Sequence, residues 1–330
     1  MIHEKVTQAL PKGMSEAARP RPSGACHDEV MSESATSLTP LGGGHSGLTF
    51  LGEVAGERVV VRLYPPDDVR GVQAPEVDRS VLHLVRGLLP VPDVLEVRRP
   101  LTSAGSPGLL VTSFLPGERG DAVVERLVAA ADTDGLQRLG RALGGVAAGL
   151  AGMPMLRPGP FVDADLDLGR FPDDDLVAWV ATRLPDWPEE RRRALSQVCR
   201  RAQDLLDGVR RASLVHGDLN PKNVLVDPAT LEVTAVLDWE YAHAGHPWTD
   251  LGNVLRFDRH PAYASAALDA WVSLRGGEAG TVLDGARSAD LWALVDLASR
   301  AGQNPVADRA EELLRAVADA DDVHAWPFDR

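Results

Sequence analysis

Hydrophobic and polar positions follow two different rhythms along this chain. Between 48 and 64 the runs LTFLGEV and RVVVRLY are short, rich in β-branched residues and separated by Ala55-Gly56-Glu57, which predicts strand, turn, strand. Residues 76–88 place Val77, Val81, Leu84, Val85 and Leu88 at helical spacing and stop at Pro90. Extended pieces are expected around 94–98 and 108–115, the second closing in Pro116-Gly117. From 121 onward helical periods dominate. The longest predicted helix runs from Pro188 to Arg211, with Leu195, Val198, Cys199, Ala202, Leu205, Leu206 and Val209 on one face and most of its arginines on a solvated one. Short β-prone runs return at 213–216, 223–227 and 232–237, and about 248–320 is helical again.

This order predicts an α+β chain: an antiparallel sheet with one main helix over residues 38–117, then a mostly helical lobe over 118–330, the change of character falling near 116–120. Residues 1–37 are expected to form a disordered tail, because the first 30 mix Pro, Gly, Ser and charge without an apolar period. They contain no unbroken apolar core of a secretory signal, and Met31 reads as the biological start.

Composition narrows the class. A chain of 330 residues, 44% hydrophobic and 25% charged, can bury the cores of about two domains. Its 48 acidic against 34 basic residues leave a formal charge of −14, which speaks against a nucleic-acid footprint and suits a cationic small molecule. Cys26 and Cys199 stand in unlike contexts and offer no disulfide framework, as in a reducing cytoplasm, and Cys199 reads as core. Leu143 to Leu156, the longest weakly polar stretch, falls short of the roughly 20 residues that span a bilayer. The expectation is a cytoplasmic monomer or homodimer with no membrane or nucleic-acid partner.

Three short signatures carry the chemistry. Gly42-Gly43-Gly44-His45-Ser46-Gly47 satisfies G-x-G-x-x-G, a weak signal alone; because it precedes two β-prone runs rather than opening a helix, it suits a loop folded over phosphates. Leu214 to Asn223, LVHGDLNPKN, matches H-x-D-x-x-x-x-N through His216, Asp218 and Asn223. In phosphoryl transfer such an Asp accepts or orients the acceptor's hydroxyl proton and the Asn binds magnesium. Turn propensity beside Pro221 explains each of these residues singly but not their spacing. Finally, AVLDWE puts Asp238 straight after an apolar strand, and a hairpin turning at Asp227-Pro228 would let Asn223 and Asp238 meet at one metal site.

In LVHGDLNPKNVLVD and AVLDWEYAHAGHPWTDLGN the chain resembles the aminoglycoside phosphotransferase and choline kinase-like superfamily, small-molecule relatives of protein kinases, over about Leu41 to Phe257. The resemblance implies a two-lobed kinase-like fold and a Mg2+-dependent enzyme using ATP or GTP. It makes Asp218 the catalytic base, Asn223 and Asp238 the magnesium ligands, and Gly42 to Gly47 the phosphate cover. His216 would orient the catalytic loop, Asp250 would brace it, and Ser113 to Leu115 would form the interlobe hinge that meets the nucleobase. One departure stands on the third strand: Arg62 occupies the place of the kinase Lys. An arginine can hold phosphate through two parallel hydrogen bonds, although the exchange is not conservative. Asp78 falls nearest the family's pairing acid, with Glu76 as the other candidate.

Weaker signals remain. His243 and His246 near Asp250 lack a thiol set or an H-E-x-x-H helix, so zinc finds little support, and no G-x-S-x-G elbow is present for a serine hydrolase. Asp163, Asp165, Asp167, Asp173, Asp174 and Asp175 face only Arg170 and read first as solvated loop and helix caps, with attraction of a polycationic acceptor as the sharper reading. The expected function is transfer of a nucleotide's terminal phosphate to a small-molecule hydroxyl, on an aminoglycoside, another antibiotic, an amino alcohol, homoserine or a sugar. A weakly active nucleotide-binding regulator is the rival, and a protein kinase is disfavoured by Gly217 and by the lack of an A-P-E segment after Asp238.

Overall fold

Alternation in ERVVVRLY places Val59, Val61 and Leu63 on one face of a strand, where they are buried with Phe50, Leu109 and Val111, while Val60 and Arg62 on the other face stay partly exposed. The computed structural model describes residues 38–41, 48–101, 103 and 105–328. The tail over 1–37 and the glycine loop Gly42, Gly43, Gly44, His45, Ser46 and Gly47 lie outside them. The chain divides into two compact units. One holds the described residues up to Arg79 with Asp93–Phe114; the other holds Ser80–Pro92 and Leu115 onward.

The first unit contains β1 (Thr39–Pro40), β2 (Leu48–Val54), β3 (Glu57–Tyr64), β4 (Val94–Arg98) and β5 (Gly108–Ser113), an antiparallel sheet of order β1-β2-β3-β5-β4. The β2–β3 hairpin turns at Ala55 and Gly56, with φ of 55° and 87°; positive φ at both central residues is what a two-residue turn between twisted strands requires. Helix α1 (Ala74–Val85) ends three residues short of Leu88, the last apolar position of the predicted run. Leu84 is exposed rather than on the apolar face, as is Leu88 beyond the helix, and Val81, Leu82 and Val85 make the buried stripe.

The second unit carries helices α2 (Gly120–Ala129), α3 (Thr133–Ala151), α4 (Leu176–Arg183), α5 (Glu189–Asp207), α6 (Thr249–Val254), α7 (Pro261–Arg275), α8 (Ala279–Ala298) and α9 (Pro305–Ala320). Its strands are β6 (Glu118–Arg119), β7 (Pro154–Met155), β8 (Gly159–Pro160), β9 (Ala212–Val215), β10 (Val224–Val226), β11 (Val233–Val236) and β12 (His243–Gly245). They form two small sheets, ordered β11-β10-β6 and β7-β9-β12-β8. Helices α3 and α7 cross closely because Gly140 and Gly144, one turn apart, face the other backbone: a Cβ at either would lie 2.2 Å from the carbonyl oxygen of Tyr263 or Ala267. Helix α5 stops at Asp207, with Gly208 as its cap, rather than at Arg211 as its apolar spacing predicts, so Val209 is not helical. Its face does bury Leu195, Val198, Cys199, Ala202 and Leu206, the first four packed with α4, α8 and α9. Burial pushes the Cys199 thiol up to about 12, so it is a core residue and not a nucleophile. Among the described residues no helix is long and apolar enough to cross a membrane.

Candidate active site

Strand β9, Ala-Ser-Leu-Val, is buried throughout and pairs with β12 on one side and β7 on the other. It delivers the chain to His216, which is wholly buried. Asp250, in the first turn of α6, pins the bend that follows: its Oδ2 accepts the His216 N–H at 2.9 Å and its Oδ1 accepts the Gly217 N–H at 3.1 Å. Burial pushes the Asp250 carboxyl above its usual range, while His216 and the two N–H groups pull it back. The His216 ring is fixed as well. Its Nε2 donates to the Leu237 carbonyl at 2.9 Å, so Nδ1 is left to accept the Asp218 N–H at 3.3 Å, and the Trp239 ring covers it at 4.6 Å between centroids.

Gly217 adopts φ +84°, and a Cβ there would lie 2.5 Å from the Tyr241 carbonyl oxygen. Conformation and space both exclude a side chain, which accounts for glycine at the position where protein kinases carry arginine. Gly217→Ala is therefore expected to destabilise the fold by about 1–3 kcal/mol. Urea unfolding would read this as a lower midpoint with an unchanged slope; an unchanged midpoint would show that the bend relaxes freely.

Asp218 leaves the bend with its carboxylate 22% exposed and both oxygens engaged. Oδ1 accepts from Asn220 Nδ2 at 2.7 Å, and Oδ2 accepts from Asn223 Nδ2 at 2.8 Å. The spacing of Asp218 and Asn223 has this geometric reason: a single 3₁₀ turn, Pro221–Asn223, capped by the Asn220 side chain, returns Asn223 to Asp218. Two cations stand nearby, Lys222 Nζ at 3.6 Å from Oδ2 and Arg256 Nη1 at 3.9 Å from Oδ1. Asn223 and Asp238 are brought together by β10 and β11, which pair Val224 with Val236, and the next N–H, of Leu237, donates to the Asn223 carbonyl at 2.8 Å. Asp238 follows at φ 63°, ψ 61°, a left-handed conformation unusual for a residue with a side chain. Such strain gathers at functional positions.

In the first unit Arg62 lies on the partly exposed face of β3, its guanidinium carbon 5.5 Å from the Tyr64 ring centre. Asp78 is buried on α1, where Tyr64 donates to its Oδ2 at 2.6 Å and Arg70 to its Oδ1 at 2.8 Å. Burial first, and then the Asp78 charge, push the Tyr64 phenol well above its usual range. Glu76, the alternative acid, pairs with Arg99. Ser113 ends β5, its N–H bonded to the Asp93 carbonyl and its Oγ accepting the Asp93 N–H, both at 2.9 Å; the division between the two units falls between Phe114 and Leu115.

Of the acidic run, Asp163 accepts the N–H groups of Asp165 and Asp167, and Asp175 caps α4 through those of Val177 and Ala178. His243 Nδ1 bonds to the Tyr241 carbonyl, and burial lowers His246 to about 4. Asn220, Arg256, Tyr64 and Arg70 escape sequence reading. Asn220 had a local signal, an amide two residues after the Asp; the others meet their partners only through tertiary packing.

Two residues beyond Arg256, burial pushes the Asp258 carboxyl up to about 6, against the pull of Arg309 and with Asp121 and Glu125 of α2 adding to the rise. The folded state thus keeps a proton between about pH 4 and 6 that the unfolded chain gives up, so this group's contribution to stability is lost as pH rises through that window. Asp258→Asn is expected to raise stability by about 1–3 kcal/mol at pH 7.5 and to leave it unchanged at pH 4. Denaturant titrations at the two pH values check this, and equal effects at both would overturn the assignment.

Comparison with known proteins adds context to this geometry. The family model described as "Phosphotransferase enzyme family" matches residues 37–283. Acyl-CoA dehydrogenase family member 11 from Mus musculus is 34% identical over 84 residues, 26% of this chain and only 8% of that protein. The structure of a thermostable mutant of aminoglycoside phosphotransferase APH(4)-Ia, in ternary complex with ADP and hygromycin B, is similar at TM-score 0.62 and 20% identity, covering 89% of this chain and 96% of that one. The GDP complex of wild-type aminoglycoside 2'-phosphotransferase-IIIa is similar at TM-score 0.62 and 18% identity, covering 86% of this chain and 93% of that one.

Proposed function

Since the chain belongs to the phosphotransferase enzyme family and has its kinase-like α+β fold, we propose that it transfers the terminal phosphate of ATP or GTP to a hydroxyl of a small molecule, an aminoglycoside or another hydroxylated antibiotic being the favoured acceptor. The observation that carries this reading is the Asp218 carboxylate held by Asn220 and Asn223 on a loop whose backbone is pinned by Asp250. A carboxylate fixed in this way can accept or orient the acceptor's hydroxyl proton, and holding it still removes reorganisation from the reaction. The formal charge of −14 and the hygromycin B bound by one structural neighbour support a cationic acceptor. The ADP and GDP bound by the neighbours support a nucleotide cosubstrate.

The residues fit magnesium. Asn223 commits its Nδ2 to the Asp218 carbonyl and Oδ2, which leaves its amide oxygen as a hard ligand, and Asp238 adds a carboxylate. When bound, the ion would neutralise charge on the terminal phosphates. Arg62 is assigned to the nucleotide phosphates, Asp78 to the acid on the helix that follows β3, Gly42 to Gly47 to the phosphate cover, and Ser113 and Leu115 to the nucleobase. His216 holds the catalytic loop in shape through Leu237 and the Asp218 N–H. The substitution of Arg62 for the family's Lys is the feature that favours the alternative, a weakly active nucleotide-binding regulator. Amino alcohols, homoserine and sugars remain in the acceptor panel.

The test is transfer of labelled terminal phosphate from ATP or GTP, with magnesium, to aminoglycosides, other hydroxylated antibiotics, amino alcohols, homoserine and sugars, with Asp218→Asn as control. Label in a product, lost in the control, is the expected result. Nucleotide binding without label in any product or in free phosphate would favour the regulator.

A further inference from the structure

A buried guanidinium stands behind the candidate base. Arg256 lies two residues past the end of α6, and its side chain is only 5% exposed. Asp290, on α8 and 2% exposed, grips it: Nη2 donates to Oδ1 at 2.7 Å, while Nε lies 3.0 and 3.1 Å from the two carboxylate oxygens. Asn253 Nδ2 donates to the same Oδ1 at 3.0 Å and fixes Asp290 in turn. The remaining nitrogen, Nη1, lies 3.9 Å from Asp218 Oδ1, too far for a hydrogen bond but close enough for a charge to act in a buried setting.

The two cations beside Asp218 differ in kind. Lys222 is a flexible ammonium, 36% exposed, whereas Arg256 is planar, buried and locked by two acceptor oxygens. A guanidinium does not lose its proton, so its charge is a constant of the site. One guanidinium thus spans two carboxylates, one buried and structural, the other at the reacting position.

We infer that Arg256 is a positioning residue for phosphoryl transfer: clamped by Asp290, it sets a fixed positive charge beside Oδ1 that favours the orientation of Asp218 already held by the hydrogen bonds of Asn220 and Asn223. This rests on the phosphotransferase reading and adds to it a residue outside the H-x-D-x-x-x-x-N motif. Arg256→Ala would strand Asp290 as a buried unpaired charge and test folding as much as chemistry. Two other variants separate the roles. Arg256→Lys keeps a charge near Asp290, but a single ammonium cannot span both carboxylates. Arg256→Met combined with Asp290→Leu removes the buried pair without leaving a lone charge.

The experiment measures thermal melting, nucleotide Kd by calorimetry, and kcat and KM for phosphate transfer, or for nucleotide hydrolysis where no acceptor is found. Expected are a cooperative melt in both variants, lowered in the double variant because the buried Asn253 amide loses its Asp290 acceptor, with near-wild-type nucleotide Kd, unchanged KM, and a kcat lower on the order of 10²-fold, the scale of a small misplacement of a reacting group. If either folded variant keeps wild-type kcat, the positioning role is overturned and the phosphotransferase reading stands. A wild-type protein that binds nucleotide yet neither transfers nor hydrolyses its phosphate overturns both.

Discussion

Asp218→Asn is expected to lower phosphate transfer by about 10²–10⁴-fold while leaving nucleotide affinity close to wild type. Asparagine matches the carboxylate in shape, so the loop pinned by Asp250 and His216 should keep its course. What is lost is the proton acceptor and the charge. Two amides, Asn220 and Asn223, donate to the two carboxylate oxygens, and an asparagine would offer an oxygen to only one of them. The other donor would face an NH₂ group, and Arg256 would lose the counter-charge at Oδ1. The effect should therefore fall on kcat. Single-turnover transfer of labelled phosphate, with calorimetric titration of nucleotide, separates the two quantities. A variant that loses nucleotide binding as severely as turnover would show that Asp218 belongs to the phosphate-binding set and not to the acceptor's proton.

Asp238→Asn should behave differently, lowering metal-dependent nucleotide affinity as well as turnover. Removing even an outer partner of a metal site costs about 10–100-fold in affinity or activity, and the loss of a charged ligand should reach at least that range. The backbone makes this a clean substitution. Asp238 sits at φ 63°, ψ 61°, and asparagine is among the side-chain-bearing residues best able to adopt that conformation, so stability should change little. Nucleotide titrations with and without magnesium read the effect. Equal nucleotide affinity in variant and wild type, with magnesium present, would remove Asp238 from the metal site.

Both residues are legible in the sequence because their geometry is local. Asp218 and Asn223 are joined by one capped turn, and Asp238 lies two residues past the second strand of a short hairpin, so a pattern of a few residues predicts who meets whom. The β3 strand is legible for the same reason: alternation with period two reports burial of one face without knowledge of what covers it. Where burial is decided by a distant element, the pattern misleads. Leu84 has helical spacing yet is exposed, whereas the end of α5 is a local matter, Gly208 capping the helix although Val209 continues the apolar face.

By itself, then, the sequence determined the α+β order of elements, the buried face of β3 and the local meeting of Asp218 with Asn223, because dihedral preference, side-chain period and turn chemistry act over neighbouring residues. Only the tertiary structure decided which partners surround the motif's groups. Arg256 reaches Asp290 across 34 positions and Asp218 from beyond α6, and the Asp78 carboxylate receives Tyr64 and Arg70 from outside α1. No local rule names these pairs. A buried charge is stable only where packing supplies its counter-charge, and that is settled by how whole elements come together.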